Sequence, residues 1–399
     1  MTTMTIRNAA RRWAASLVVL AALAAPLPAF AAPSDLPSAR PQDVGVDPMR
    51  LVQLSQWLRD EKLDVRSLLV VKDDKLVFER YSGGLDRDYN YELYSITKGV
   101  TAILAGMLVD EGRLRLDAKV GELVAKLRPD LAEKFTDKQD LEVRHILTMS
   151  SGLHYDFKSK DDPIYYAAPD RLQLAAEAQP KIPPGTTFEY TDINPILTAA
   201  VLGAAAGMPI QVYAEQKLFE PLGMKNWAWG RADQKGLVST GWGLRLRPVD
   251  MAKIGLLVLH EGKWQGRQLV SAGWVRQMTS PGVVPYFGDY WWINDIVTSE
   301  PEYDTMGFKG QFIVVLPKRD TVVVMTSLLP IEGGLRDAGN VQIFREIVNG
   351  HILPALAAGS GPGDPSAAAA LAHELALAQA SNPPPGAAPD PFETDTPRK

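Results

Sequence analysis

With 399 residues, 46% of them hydrophobic and 22% charged, the chain has the composition of a globular protein with a large core, which excludes a disordered polymer and a multi-span membrane protein. Its formal net charge of −5 comes from 42 basic and 47 acidic residues spread without long runs, so nothing marks a nucleic-acid-binding surface. There is no cysteine, and the five histidines show no metal-ligand spacing, so disulfides, thiolate nucleophiles, metal and cofactor all fall outside the expectation.

In chain order, Arg7, Arg11 and Arg12 lead into the apolar run Trp13 to Ala25 and then Ala29-Phe30-Ala31. A charged start, a short apolar stretch and small residues form the pattern of an export signal, with cleavage expected after Ala31 and a periplasmic or secreted product. The run is short of the roughly 20 residues needed to cross a bilayer, so no stable membrane insertion is expected after cleavage; a retained anchor is the alternative. Residues 32–357 are read as the folded domain. Leu51, Leu54, Leu58 and Leu63 predict an amphipathic helix over Pro48 to Leu63. Arg66 to Lys72 and Lys75 to Tyr81, joined by Asp73-Asp74, predict a β-hairpin. From Ser95 to Glu111 the apolar residues run around most of the circumference, which predicts a buried helix capped by Gly112.

Residues from about 115 to 285 read as a mainly helical lobe, with helices at Val143 to Thr148, Pro195 to Ala206, Ile210 to Phe219 and Pro248 to His260. Strand character returns at Asp289 to Ile293, Phe312 to Leu316 and Thr321 to Thr326, before a closing helix from Val341 to Leu353. The order predicts an α/β (α+β) fold: one antiparallel sheet built from both chain ends and flanked by helices, with an inserted helical lobe and a ligand site between the two parts. Residues 358–399, dominated by Ala, Pro and Gly, are expected to be disordered apart from a helical turn or two near Ala367 to Ala380.

Ser95-Ile96-Thr97-Lys98 is an S-x-x-K at the entry of the buried helix, a spacing that puts both side chains on one face one turn apart. A serine hydroxyl needs a base to become a nucleophile, and a lysine in an apolar wall can serve when burial lowers its pKa. The four residues alone fit equally a helix-capping serine followed by an exposed lysine. Tyr190, in the polar turn Phe188 to Asn194, is the candidate proton shuttle; its alternative is a core aromatic.

Several ordered segments then resemble the β-lactamase-related serine hydrolases, the family of class C β-lactamases, D-alanyl-D-alanine carboxypeptidases, family VIII carboxylesterases and 6-aminohexanoate-dimer hydrolases. Ser95 to Lys98 is similar to the family's nucleophile motif, and Tyr190-Thr191-Asp192 to its Y-x-N element, with Asp in place of Asn. Val143 to Leu153 is similar to its "rHLLtmtSGl" signature. Phe219 to Met224, Gly241 to Leu244 and Pro248 to Gly255 match later segments. The resemblance implies a catalytic group of Ser95, Lys98 and Tyr190 acting through an acyl-enzyme.

The family's third motif, K-T-G or H-T-G, is replaced by Thr305-Met306-Gly307, which lacks the cation that holds a substrate carboxylate in β-lactamases and carboxypeptidases. The implied activity is therefore that of a carboxylesterase or 6-aminohexanoate-dimer hydrolase on a small ester, amide or peptide-like substrate, with β-lactamase or D-alanyl-D-alanine carboxypeptidase as the alternative. A non-catalytic peptide- or peptidoglycan-binding protein is the rival of another class. The resemblance also implies an oxyanion hole completed by a backbone N–H near Gly307 and Phe308, and a cleft bordered by Tyr94, Tyr155, Tyr165, Tyr166, Trp242, Tyr290, Trp291 and Trp292. Asp192 is open between pairing with Lys98, which would raise the lysine's pKa and shift the burden to Tyr190, and capping the following helix.

Overall fold

The computed structural model describes residues 35–158, 162–165, 169–294, 297–329, 339–357 and 365–381. The expected export signal and Tyr166 lie outside them. Helix α1 (Pro48–Asp60) is followed by the hairpin β1 (Val65–Lys72) and β2 (Lys75–Tyr81), whose tight turn places both Asp73 and Asp74 at positive φ. Helix α2 (Ile96–Asp110) then crosses the middle of the molecule, buried from Ile96 to Leu108. The lobe contributes α3 (Val120–Leu127), α4 (Arg171–Ala176) and α5 (Ile193–Ala206), and α6 (Pro248–Leu259) returns the chain to the sheet. Beyond a short two-stranded ribbon (Lys263–Trp264 with Arg267–Gln268), four strands complete the main sheet: β3 (Trp292–Ile293), β4 (Tyr303–Gly307), β5 (Gln311–Leu316) and β6 (Thr321–Ser327).

The sheet is antiparallel throughout, in the order β3-β4-β5-β6-β1-β2. The chain ends therefore meet at its centre, where Leu68 pairs with Met325 and Val70 with Val323. Strands β5 and β6 are buried along their whole length, as strands covered on both faces must be. Successive residues serve opposite faces. Phe312 stacks on Phe344 of the closing helical segment with ring centroids 4.1 Å apart, while its neighbour Ile313 and Val322 press on Gly255 of α6, where a Cβ would stand 2.4 Å from Val322 Cγ1.

The sequence expectations hold for the hairpin, α2 and the late strands, with three corrections. The strand expected over Asp289 to Ile293 is confined to Trp292–Ile293, because Tyr290 is in the left-handed region and Tyr290 and Trp291 turn inward. Strand β4 was not read from the residue pattern, and only the resemblance of Thr305-Met306-Gly307 to the family's third motif implied a strand there. The tail is ordered over sixteen residues as helix α7 (Pro365–Ala380), which packs against α1 and β2. Ala367, Leu371, Glu374 and Ala378 recur at helical spacing and are buried. Glu374 accepts hydrogen bonds from Ser55 (3.1 Å) and from Arg59 at 3.2 and 3.1 Å. Alanine is the strongest helix former and a small apolar residue, so a segment poor in large hydrophobics still folds once it has a surface to cover.

Candidate active site

Ser95 stands at the mouth of α2 with φ −66° and makes no side-chain capping bond, which leaves its hydroxyl available. Lys98, one turn on, is 2% exposed, and its ammonium donates to Ser95 Oγ at 2.9 Å and to the Gly241 carbonyl at 3.1 Å. The readings of a capping serine and an exposed lysine are thereby excluded. Residue 94 supports the approach: Tyr94 holds φ +47°, an uncommon conformation for a bulky side chain, at the turn that delivers the serine.

Asp192 resolves the alternative left open by the sequence. It begins α5 but makes no capping bond; its Oδ1 lies 2.8 Å from Lys98 Nζ, and its Oδ2 accepts a 2.6 Å hydrogen bond from the Tyr165 hydroxyl. Burial pulls the Lys98 ammonium toward a lower pKa, but the Asp192 carboxylate, helped by Tyr190, more than offsets it, and the net direction is upward. Lys98 is thus an ammonium at neutral pH. Gly241 makes this packing possible: a Cβ there would stand 2.8 Å from Pro195 Cγ and 3.2 Å from Asp192 Oδ1. Its place in the Gly241-Trp242-Gly243 run was the one sequence signal for this role.

Tyr190 presents its ring to the same ammonium, with Lys98 Nζ 5.0 Å from the centroid, and is stacked on Trp292 at 5.7 Å. The segment 143–153 places it. The Glu189 N–H donates to the Met149 carbonyl at 2.8 Å and the Gly185 N–H to the Ser150 carbonyl at 2.7 Å. Gly152 sits at φ +68° with the Ile182 carbonyl so close that a Cβ would clash at 1.9 Å. The motif that resembled the family signature is therefore a cradle for the tyrosine turn, a role the sequence did not disclose.

Strand β4 closes the opposite side. Thr305 packs on Gly99 of α2, where a Cβ would stand 2.9 Å from Thr305 Oγ1, and Gly307 lies against the Leu93 carbonyl. Phe308, 43% exposed, meets Tyr94 edge-on at 5.5 Å, so the turn after β4 abuts the residue preceding Ser95. Lys309, at φ +61°, folds its ammonium over the Phe308 ring, 5.9 Å from the centroid.

The aromatic residues divide. Tyr165 faces Asp192, and Trp242, 5% exposed, supports the Tyr165 ring at 5.1 Å. Trp292 backs Tyr190, while Tyr155 donates to Asp162 at 3.0 Å and steadies the Tyr165 loop. Tyr290 and Trp291 are core residues: their polar atoms are spent on Thr198 (2.9 Å) and on the Gly99 carbonyl (3.1 Å). Among the described residues no cluster of three or more His, Asp or Glu side chains is arranged to hold a metal ion.

A sheet closed by both chain ends, with a helical lobe inserted between them and a serine–lysine contact at the entrance of the buried helix, is the architecture of the β-lactamase and transpeptidase-like fold. The Beta-lactamase family profile matches residues 60–344, and the chain belongs to that family. It is 26% identical over 309 residues to the 6-aminohexanoate-dimer hydrolase of Paenarthrobacter ureafaciens, covering 70% of this chain and 76% of that protein. It is 27% identical over 192 residues to esterase EstB of Burkholderia gladioli, covering 43% of this chain and 48% of the esterase. The fold is shared with the solved structure of EstCE1, a hydrolase with promiscuous acyltransferase activity, at a TM-score of 0.61 and 17% identity over 75% of this chain and 97% of that one.

Proposed function

We propose that the protein cleaves a small ester or amide through an acyl-enzyme on Ser95, in the manner of a carboxylesterase or a 6-aminohexanoate-dimer hydrolase. The observation that carries this reading is the 2.9 Å contact between Ser95 Oγ and a buried Lys98 whose charge is held by Asp192. An ammonium cannot take the serine proton, so Tyr190, acting from its phenolate form against the positive charge of Lys98, receives it and becomes a phenol as Oγ attacks the substrate carbonyl. The backbone N–H groups of Ser95 and Phe308 are the donors for the tetrahedral oxyanion; neither is engaged by a backbone acceptor among the described residues. Tyr190 then returns the proton to the leaving alcohol or amine. Water, deprotonated by the same tyrosine, releases the acid.

The third motif supports a substrate that needs no carboxylate anchor at this strand over a β-lactam or D-alanyl peptide. Thr305, Met306 and Gly307 carry no cation, and Lys309 is turned onto Phe308. The leader sequence favours action outside the cytoplasm, which N-terminal sequencing of the exported protein tests by showing whether the chain begins at Ala32.

The central test is intact-mass analysis after fluorophosphonate treatment, with turnover of p-nitrophenyl butyrate and nitrocefin, in the wild type and in Ser95→Ala. A single adduct and ester cleavage that both vanish in Ser95→Ala are expected, with nitrocefin turned over far more slowly. An unlabelled, inactive wild type would overturn the proposal, and nitrocefin as the better substrate would replace the esterase reading with the β-lactamase one.

A further inference from the structure

The helical lobe contains a cavity of about 510 Å³ that shares no residue with the Ser95 site. It lies between α3, α5 and the turns around Met208 and Gly236, and its volume falls in the roughly 300–1,000 Å³ range of small-molecule sites. Its floor is apolar, formed by Ala199, Gly203 and Ala204 of α5 with Leu172 and Met208, and the Leu127 side chain at its mouth is left exposed. Small residues on α5 open the space: a Cβ added to Gly203 would meet only the Met208 carbonyl, at an ordinary 3.7 Å.

The charges around the cavity are unequal in what they have left to give. Arg128 is spent on Asp130 (2.6 Å) and Asp170 (3.0 Å). Asp233 accepts the backbone N–H groups of Arg171, Lys235 and Leu237 at 2.8 to 2.9 Å. Lys126 and Lys235 also line the cavity, and neither ammonium has an ion pair or hydrogen bond among the described residues. An apolar trough bordered by two uncommitted cations is complementary to a molecule with an alkyl body and one negative end.

We infer that this cavity is a non-catalytic binding site for a medium-chain alkyl carboxylate, with the chain laid along α5 and the carboxylate between Lys126 and Lys235. The inference is independent of the reaction assigned to Ser95. The test is calorimetric titration of the exported, full-length Ser95→Ala protein with decanoate below its micellar concentration, using decyltrimethylammonium as the cation of equal chain length. Saturable one-to-one binding of decanoate is expected, with the ammonium compound at least about tenfold weaker.

Gly203→Leu fills the cavity while replacing the one glycine of α5 with a good helix former, and abolishes binding. Lys126→Ala with Lys235→Ala weakens it by roughly three- to tenfold, the scale of two exposed charge contacts. Should Gly203→Leu fail to fold, the double lysine variant decides. No saturable binding, or binding equal in folded Gly203→Leu or in the double variant, would overturn the inference. So would decanoate binding to the wild type that disappears once Ser95 is labelled by fluorophosphonate, since the ligand would then belong to the active site.

Discussion

Asp192 governs the charge on Lys98, and the two partners of its carboxylate divide that task. One oxygen neutralises the lysine at 2.8 Å; the other is held by Tyr165 at 2.6 Å. Asp192→Asn removes the negative charge and leaves burial, which pulls the lysine down, as the largest remaining influence. The limb of the kcat/KM profile that reports loss of the Lys98 proton is then expected to move to lower pH, as follows when the opposite charge that held the ammonium is removed. Ester hydrolysis measured from pH 6 to pH 11 checks this, and an unmoved limb contradicts it. Tyr165→Phe keeps the ring against Trp242 but frees one end of the carboxylate. It should lower kcat by roughly ten- to a hundredfold with KM for a small ester within about twofold, since a hydrogen bond to a charged group contributes on the order of 1.5–3 kcal/mol. Ser95 and Lys98 were legible because a fixed helical spacing joins them. The Tyr165 contact was not, since Tyr165 and Asp192 lie in different loops and meet only through the packing of Trp242 beneath them.

Among the elements, the segment Pro248 to Gly255 owes its motif to a buried ion network. Asp250, fully buried, receives Arg247 at 2.8 Å and Lys253 at 2.8 Å, and Arg247 also reaches Asp35 at 3.0 Å. The Lys253 ammonium donates to the Gly223 carbonyl at 3.0 Å, which ties α6 to the Phe219 to Met224 turn. Asp250→Ala takes the one fully buried carboxylate from two buried cations, leaving them only Asp35 and Asp88, and is expected to cost about 3–5 kcal/mol, read from urea unfolding. A loss below 1 kcal/mol would show that water or Asp35 takes over the role. The hairpin was legible from its density of Val and Leu. Strand β4 was not, because the short Tyr303 to Gly307 carries Asp304 and Gly307, both depleted in strands; what makes it a strand is the pairing of Thr305 with Ile313 on β5.

For the whole molecule, the division into a sheet from both chain ends and an inserted lobe followed from the order of strand-like and helical segments. The fate of the tail did not, since the acceptor surface for α7 is assembled from α1 and β2, distant in the chain. Ending the protein after Ala357 uncovers that surface and strips Arg59 and Ser55 of Glu374. Stability is expected to fall by about 2–4 kcal/mol, the worth of one partly apolar helix whose ion pair is only part-buried. Catalytic constants should be unchanged, because α7 sits at the β2 edge, while Thr305 and Gly307 belong to β4 near the other edge. Thermal melts and ester turnover on the shortened protein test both halves.

The pairing of β1 with β6 also bears on how the chain comes to be folded at all. Residues 65–72 have no inner partner until residues 321–327 exist, so the central ladder of the sheet is the last to close as the protein is synthesised. A growing chain holds only an isolated hairpin on that side, and such a hairpin is marginal in water. Contacts so remote in sequence also form slowly. The topology thus leaves the sheet without its central ladder until nearly the whole folded domain has been synthesised, so the two chain ends must find each other around an intervening lobe.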